Sequence, residues 1–189
     1  FKAESALVRP QFVSGTHAIA SVLYGVLRPG DTLLAITGKP YDTIHGVIGI
    51  DQGEEDEKTG SLKDYGIVYE EIQLQENAMD LPKIQEALRI NATIKMVHIQ
   101  RSKGYAERKS FTIEEIKEAI GDKILLDVIP AILFMPPFTF DDVMKCVNDI
   151  VDLFYPDIIL GISDEIPMGA GTEVIPLLQQ IVEYCKSAK

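Results

Sequence analysis

A chain of 189 residues, 46% hydrophobic and 25% charged, has the size and composition of a soluble globular protein with one sizeable core. Its formal net charge of −11 argues against nucleic acid as the main partner, because binding a phosphate backbone needs a basic face. No run reaches the roughly 18 apolar residues of a membrane span and no amino-terminal signal pattern is visible, so a cytoplasmic protein without a membrane partner is expected.

A strand-like run (Ala6, Leu7, Val8, then Phe12 and Val13) leads into Ser14-Gly15-Thr16-His17. After it Ala18, Ile19, Val22, Leu23, Val26 and Leu27 recur at helical spacing. A loop of small residues feeding a helix start offers N–H groups and the positive pole of the helix dipole, so the stretch reads either as a phosphate cradle or as a well-capped helix. Arg28-Pro29-Gly30-Asp31 is a turn, and Thr32 to Thr37 (TLLAIT) is a short apolar strand ended by Gly38-Lys39-Pro40. A second helix is predicted from Tyr41 or Asp42 to about Ile50, weakened by Gly46 and Gly49.

Residues 51–63 are charged and contain glycine, the pattern of a solvated loop or hairpin. Gly66 to Leu74 then reads as a strand, Asp80 to Leu88 as an amphipathic helix and Thr93 to Gln100 as a strand. The polar loop 101–111 carries Arg101, Lys103, Arg108 and Lys109, a local basic cluster in an acidic chain. Thr112-Ile-Glu-Glu115 fits a capping box that opens a helix to Ile120.

After the turn Gly121-Asp122, Lys123 to Ile129 is a buried-looking strand and Pro130 to Phe138 a proline-punctuated loop. Thr139-Phe-Asp-Asp142 caps a helix to about Phe154, Asp157 to Ile162 is the last strand, and Glu173 to Cys185 the final helix. Short apolar strands alternating with helices predict one three-layer α/β domain over residues 1–189, with about five mainly parallel strands and helices on both faces. Cys146 and Cys185 lack metal-ligand spacing and read as reduced thiols, so no metal site is expected.

The segment "ALVRPQFVSGTHAIASVLYGVLRPGDTLLAITGKPYDTIHGVIGI", with "GSLKDYGIVYEEIQL" and "VHIQRSKGYAERKSFTIEEIKE", resembles the methionine gamma-lyase or aluminium resistance family of pyridoxal-phosphate enzymes of fold type I. The likeness covers roughly residues 1–119. It implies pyridoxal phosphate as cofactor, held by its phosphate at Ser14, Gly15 and Thr16 with His17 beside them. It further implies that Tyr41 stacks on the pyridine ring and that Arg101 and Tyr105 stand on the substrate side. A flat ring calls for an aromatic face and a phosphate for convergent donors, so these residue types suit those roles. The family's acidic residue on a strand ending like "VDN" and its Schiff-base lysine motif are not found.

Residues 121–189 resemble instead the last βαβα portion of the uroporphyrinogen decarboxylase and corrinoid methyltransferase superfamily of TIM barrels, on "IPAILF", the T-x-D-D-V before the helix and "ILGISDEIP". The two likenesses together predict a chimera joined near Ala119 to Asp122, made of a 1–120 transferase-like segment and a 121–189 barrel-like segment.

Asp127 near the end of one strand, and Asp164 with Glu165 after the next, lie where parallel α/β folds build their sites, or else are loop carboxylates that cap helices. His45 and His98 read as ordinary helix and strand residues. The expectation is therefore a truncated or recombined lyase-like protein without native turnover, retaining a site for a small anionic ligand, phosphate or pyridoxal phosphate, and able to self-associate through exposed strand edges. The alternatives are an inert designed scaffold, and a methyltransferase-like or decarboxylase-like protein inherited through the second segment.

Overall fold

The computed structural model describes residues 11–50, 59–103, 107–126, 129–163 and 174–187. The strand-like run at 6–8 and the acidic stretch 51–58 lie outside them. The chain gathers into two compact units, Thr16–Ile120 and Phe1–Gly15 with Gly121–Lys189. Their boundaries fall between Gly15 and Thr16 and at the Ile120/Gly121 turn.

The unit Thr16–Ile120 is built on a parallel sheet. Helix α1 (Gly15–Val26) presents Leu23 to the core, and Leu27 follows just beyond its end. The chain then reverses at Arg28–Asp31: the Asp31 N–H donates to the Arg28 carbonyl, the Asp31 carboxylate accepts from the Arg28 N–H at 2.8 Å, and Gly30 takes φ 91. Strand β1 (Thr32–Ala35) runs back from that turn, buried at every position.

Such burial is why the strand reads as an unbroken apolar run: it is central, in the order β2-β1-β3, with β2 (Val68–Glu71) and β3 (Ile94–His98) both parallel to it. Leu33 packs with Leu23, Leu27, Ile44, Ile48, Leu62 and Ile67 in one cluster that Met96 joins. The pleat sends Leu34 and Ile36 to the opposite face, the side left for α3 (Leu81–Ile90) and α4 (Ile113–Ile120) with their buried Ile84 and Ile116. Helices on both faces of a parallel sheet make the α/β architecture the sequence predicts.

Local signals explain the helix ends. Asp80 accepts from the Lys83 N–H at the start of α3, where a proline sits in the first turn. Thr112 and Glu115 exchange hydrogen bonds of 2.7 and 3.2 Å ahead of α4, the capping box read from the sequence. The helix predicted over 41–50 is shorter: a 3-10 turn (Asp42–Ile44) runs into the single turn α2 (His45–Ile48), which Gly49 ends at φ 93.

In the second unit the described residues of the two predicted strands pair in parallel. Lys123 to Ile129 yields β4 (Leu125–Leu126) and β5 (Ile129–Pro130), and Asp157 to Ile162 yields β6 (Ile158–Ile159) and β7 (Ile162–Ser163). β4 pairs with β6 and β5 with β7, both parallel and in the same register, Leu125 beside Ile158 and Ile129 beside Ile162. Part of the loop predicted over 130–138 is a 3-10 turn, Ala131–Phe134. Helix α5 (Phe140–Phe154) buries Val143, Val147, Ile150, Val151 and Phe154 behind a capping box made by Thr139 and Asp142. Helix α6 (Val174–Ser187) follows, and its Tyr184 hydroxyl donates to the Asn148 side chain of α5.

Candidate active site

The tight turn at Arg28–Asp31 makes β1 antiparallel to α1, so the start of α1 lies at the end of the sheet where the strands finish. A twelve-residue helix rises roughly 18 Å and the six residues Thr32 to Thr37 roughly 20 Å, which brings the start of α1 level with the end of that strand. Gly15 is the first residue of α1 and Thr16, half-buried, the second. Half-buried Ser14 precedes them. The opening N–H groups of a helix have no acceptor one turn earlier and carry the positive end of its dipole. A Cβ built on Gly15 would meet nothing within 4 Å, so the surface there is open to a ligand.

At the same end of the sheet, Thr37, Gly38 and Pro40 are buried and Tyr41 emerges beyond them, exposed at φ −59 and ψ 144. His45 braces this turn: its Nε2 and the Pro40 carbonyl oxygen are 2.7 Å apart. His45 is thus a structural residue, as the sequence reading has it.

The ends of β1 and β3 lie side by side. Ile36 N–H donates to the His98 carbonyl at 3.1 Å, and Gln100 N–H to the Thr37 hydroxyl at 2.9 Å. The chain leaves β1 toward α2 on the Leu33 face and leaves β3 toward α4 on the other. Two neighbouring strands whose exits go to opposite faces open a crevice at their carboxyl ends, the usual position of a ligand site in an open parallel sheet.

Among the described residues, three buried side-chain atoms at the end of β3 have no hydrogen-bond partner: His98 Nδ1, Gln100 Oε1 and Arg101 Nη1. Burial lowers the His98 pKa from 6.5 to about 4, so its ring is neutral near pH 7. Of these three only Arg101 is singled out by the sequence. His98 and Gln100 are missed because a strand histidine or glutamine gives no local sign that its partner strand ends beside it.

Arg101 is half-buried and its Nε donates to the Phe111 carbonyl at 2.9 Å. Tyr105, Asp127 and Asp164, the other substrate-side candidates, lie outside the described residues. Among the described residues no three of His, Cys, Asp and Glu gather as a metal site would require, and no helix is long and apolar enough to cross a membrane.

A family model for methionine gamma-lyase matches residues 1–137. The chain belongs to the methionine gamma-lyase family. The match crosses the join expected near Ala119 to Asp122, so it does not support a change of ancestry there, and the comparisons lend no support to a barrel-derived second segment.

An uncharacterized protein of Bacillus subtilis, YnbB, is 53% identical over 121 residues, which are 64% of this chain and 28% of that one. Among solved structures, a candidate cystathionine beta-lyase involved in aluminium resistance from Clostridium acetobutylicum is 41% identical with a TM-score of 0.60, covering 71% of this chain and 33% of its own. A carbon-sulfur lyase involved in aluminium resistance from Clostridium novyi is 37% identical with a TM-score of 0.52, covering 82% and 29%. This methionine gamma-lyase family chain therefore spans about a third or less of the length of these relatives.

Proposed function

We propose that this chain carries the phosphate-holding and ring-stacking part of a pyridoxal-phosphate-dependent carbon-sulfur lyase. The observation that carries the reading is the open start of α1, a helix that turns back into β1, from whose end the chain runs on to Tyr41. A phosphate dianion meets there the opening N–H groups of a twelve-residue helix and the Ser14 and Thr16 hydroxyls. The Tyr41 ring supplies a flat apolar face, and Thr37 holds the strand end that positions it.

Family membership and the names of the solved relatives support pyridoxal phosphate as the group bound. When bound in a complete lyase, that cofactor supplies the electron sink for breaking a carbon–sulfur bond. The part assigned to this chain is to bind and orient the cofactor.

Equilibrium dialysis of the whole chain against pyridoxal 5′-phosphate tests the reading. Saturable binding is expected, weakened at least tenfold by Gly15→Asp and by Tyr41→Ala. The aspartate enters open space and favours the helix dipole, so the fold is spared while the phosphate is repelled. Circular dichroism checks that both variants fold. Absent binding, or binding indifferent to both substitutions, overturns the proposal.

A further inference from the structure

We infer that Glu71 is a positioning residue for Tyr41, acting through Gln73 on the turn at Gly38. What the ring is positioned for rests on the reading above, in which Tyr41 stacks on a bound pyridine ring. Glu71 ends β2 and pairs in register with Ala35 of β1, as Tyr69 does with Leu33. Residues paired across a parallel ladder share a face of the sheet, so Tyr69 and Glu71 stand on the Leu33 side, to which the chain leaves β1 for α2. There the Glu71 carboxylate accepts two bonds, from the Tyr69 hydroxyl on Oε2 at 2.6 Å and from Gln73 Nε2 on Oε1 at 2.5 Å. Hydrogen bonds to a charged acceptor are shorter and stronger than neutral ones, so this pair holds the Gln73 amide in one orientation.

That orientation matters at Gly38. With Nε2 committed to Glu71, Gln73 turns its Oε1 to Gly38, where it lies 3.3 Å from the place a Cβ would occupy. Gly38 is buried at φ 77 and its N–H donates to the Ile72 carbonyl at 3.0 Å, while the Ile72 N–H donates to the Ala35 carbonyl at 2.8 Å. The bonding of β1 with β2 thus runs on past both strands, and Gln73 leaves directly from its last rung over the turn. Tyr41 follows three residues after Gly38, just beyond Pro40, whose carbonyl oxygen is 2.7 Å from His45 Nε2. The pyrrolidine ring of Pro40 fixes its own φ, which narrows the path between the two anchors. The Tyr41 ring is therefore presented from a short segment held at both ends, at Gly38 by Glu71 through Gln73 and at Pro40 by His45.

Donor and acceptor in this pair can be exchanged, which gives the test a rescue. Glu71→Gln keeps the side-chain shape but sets its own amide donor against that of Gln73, so the Gln73 amide must turn. In Glu71→Gln/Gln73→Glu the carboxamide donates and the new carboxylate accepts, with its second oxygen toward Gly38. The whole chain is labelled with 13C on its tyrosine rings, and the Tyr41 signal, identified by its loss in Tyr41→Ala, is followed by NMR without cofactor. Affinity for pyridoxal 5′-phosphate is measured by equilibrium dialysis, in chains whose circular dichroism matches the wild type. Glu71→Gln and Gln73→Ala are each expected to shift the Tyr41 signal and to lower the affinity at least threefold, and the exchanged pair to restore both. In a Tyr41→Ala background neither substitution lowers the affinity further. An unmoved Tyr41 signal, a failed rescue, or losses of affinity that persist in full without the Tyr41 ring would each overturn the inference. If the wild-type chain binds no pyridoxal phosphate while the Tyr41 signal moves and is rescued as described, the cofactor reading falls and the positioning of Tyr41 by Glu71 stands.

Discussion

The Thr37 hydroxyl accepts the Gln100 N–H at 2.9 Å and so clips together the carboxyl ends of β1 and β3 across 63 residues of sequence. Both strands leave the sheet at this point for opposite faces, so the clip holds the two lips of the crevice in register. A single side chain therefore links the stability of the unit to the shape of its candidate site. Thr37→Val keeps the volume and removes the acceptor, leaving a half-buried N–H without a partner. It should cost about 1–3 kcal/mol in urea unfolding and weaken pyridoxal-phosphate binding. Thr37→Ser, which keeps the hydroxyl, should recover most of both. A loss in the Ser variant with none in the Val variant would mean that the methyl, not the hydroxyl, matters.

His98 makes the same unit sensitive to acid. Its folded pKa is about 4 against an ordinary 6.5, because burial disfavours the charged ring. Between these values the unfolded chain takes up a proton that the folded one refuses, so stability falls as pH drops from 6.5 toward 4. The loss is on the order of 3 kcal/mol, at about 1.4 kcal/mol for each pKa unit. His98→Gln cannot titrate. The stability difference between wild type and this variant should therefore shift in favour of the variant on going from pH 7 to pH 4.5, measured by urea midpoints at each pH. A constant difference would show that His98 is protonated as readily in the fold as in the open chain.

Much of this arrangement is legible where the deciding forces are local. The capping boxes at Thr112/Glu115 and Thr139/Asp142 involve residues three apart, and the sequence shows both. β1 is visible because burial on both faces demands the apolar run TLLAIT. Pairing is non-local, and there the reading runs out. Nothing in Lys123 to Ile129 reveals its partner, the stretch that Leu125 meets at Ile158 and Ile129 at Ile162. Likewise His98 comes to stand at the carboxyl end of the sheet only because Ala35 pairs beside it in the register of β1 with β3.

The second unit offers a contrasting test. Thr139 opens α5 by accepting the Asp142 N–H at 3.3 Å, and the Asp142 carboxylate accepts from the Thr139 N–H at 2.7 Å. These bonds to Thr139 hold the Asp142 carboxyl below the usual carboxylate range. Thr139→Ala should cost about 1 kcal/mol of stability. Because neither Thr139 nor Asp142 is among the residues assigned to the phosphate or the ring, pyridoxal-phosphate affinity should be unchanged. Dialysis of this variant thus separates a general loss of stability from damage to the site, and a drop in affinity matching that of Thr37→Val would remove the distinction.

Gly49 marks a place where only glycine fits. It ends α2 at φ 93, and its N–H donates to the His45 carbonyl at 2.8 Å. A Cβ there would lie 2.7 Å from Ser61 Oγ and 2.9 Å from Lys63 Cβ. Ser61 is itself buried, and the adjoining Leu62 N–H donates to the Val47 carbonyl at 2.9 Å, so the 59–65 segment has little room to retreat. Gly49→Ala combines left-handed strain with this crowding and should destabilise the unit by about 1–3 kcal/mol, read as a lowered urea midpoint. Tyr24 reports on the same contact, since its hydroxyl donates to the Gly60 carbonyl at 2.6 Å and its ring meets Tyr65 edge-on at 5.9 Å. The variant should therefore also shift the tyrosine near-ultraviolet dichroism. An unchanged midpoint with unchanged dichroism would mean that the 59–65 segment yields freely, against the close packing described for it.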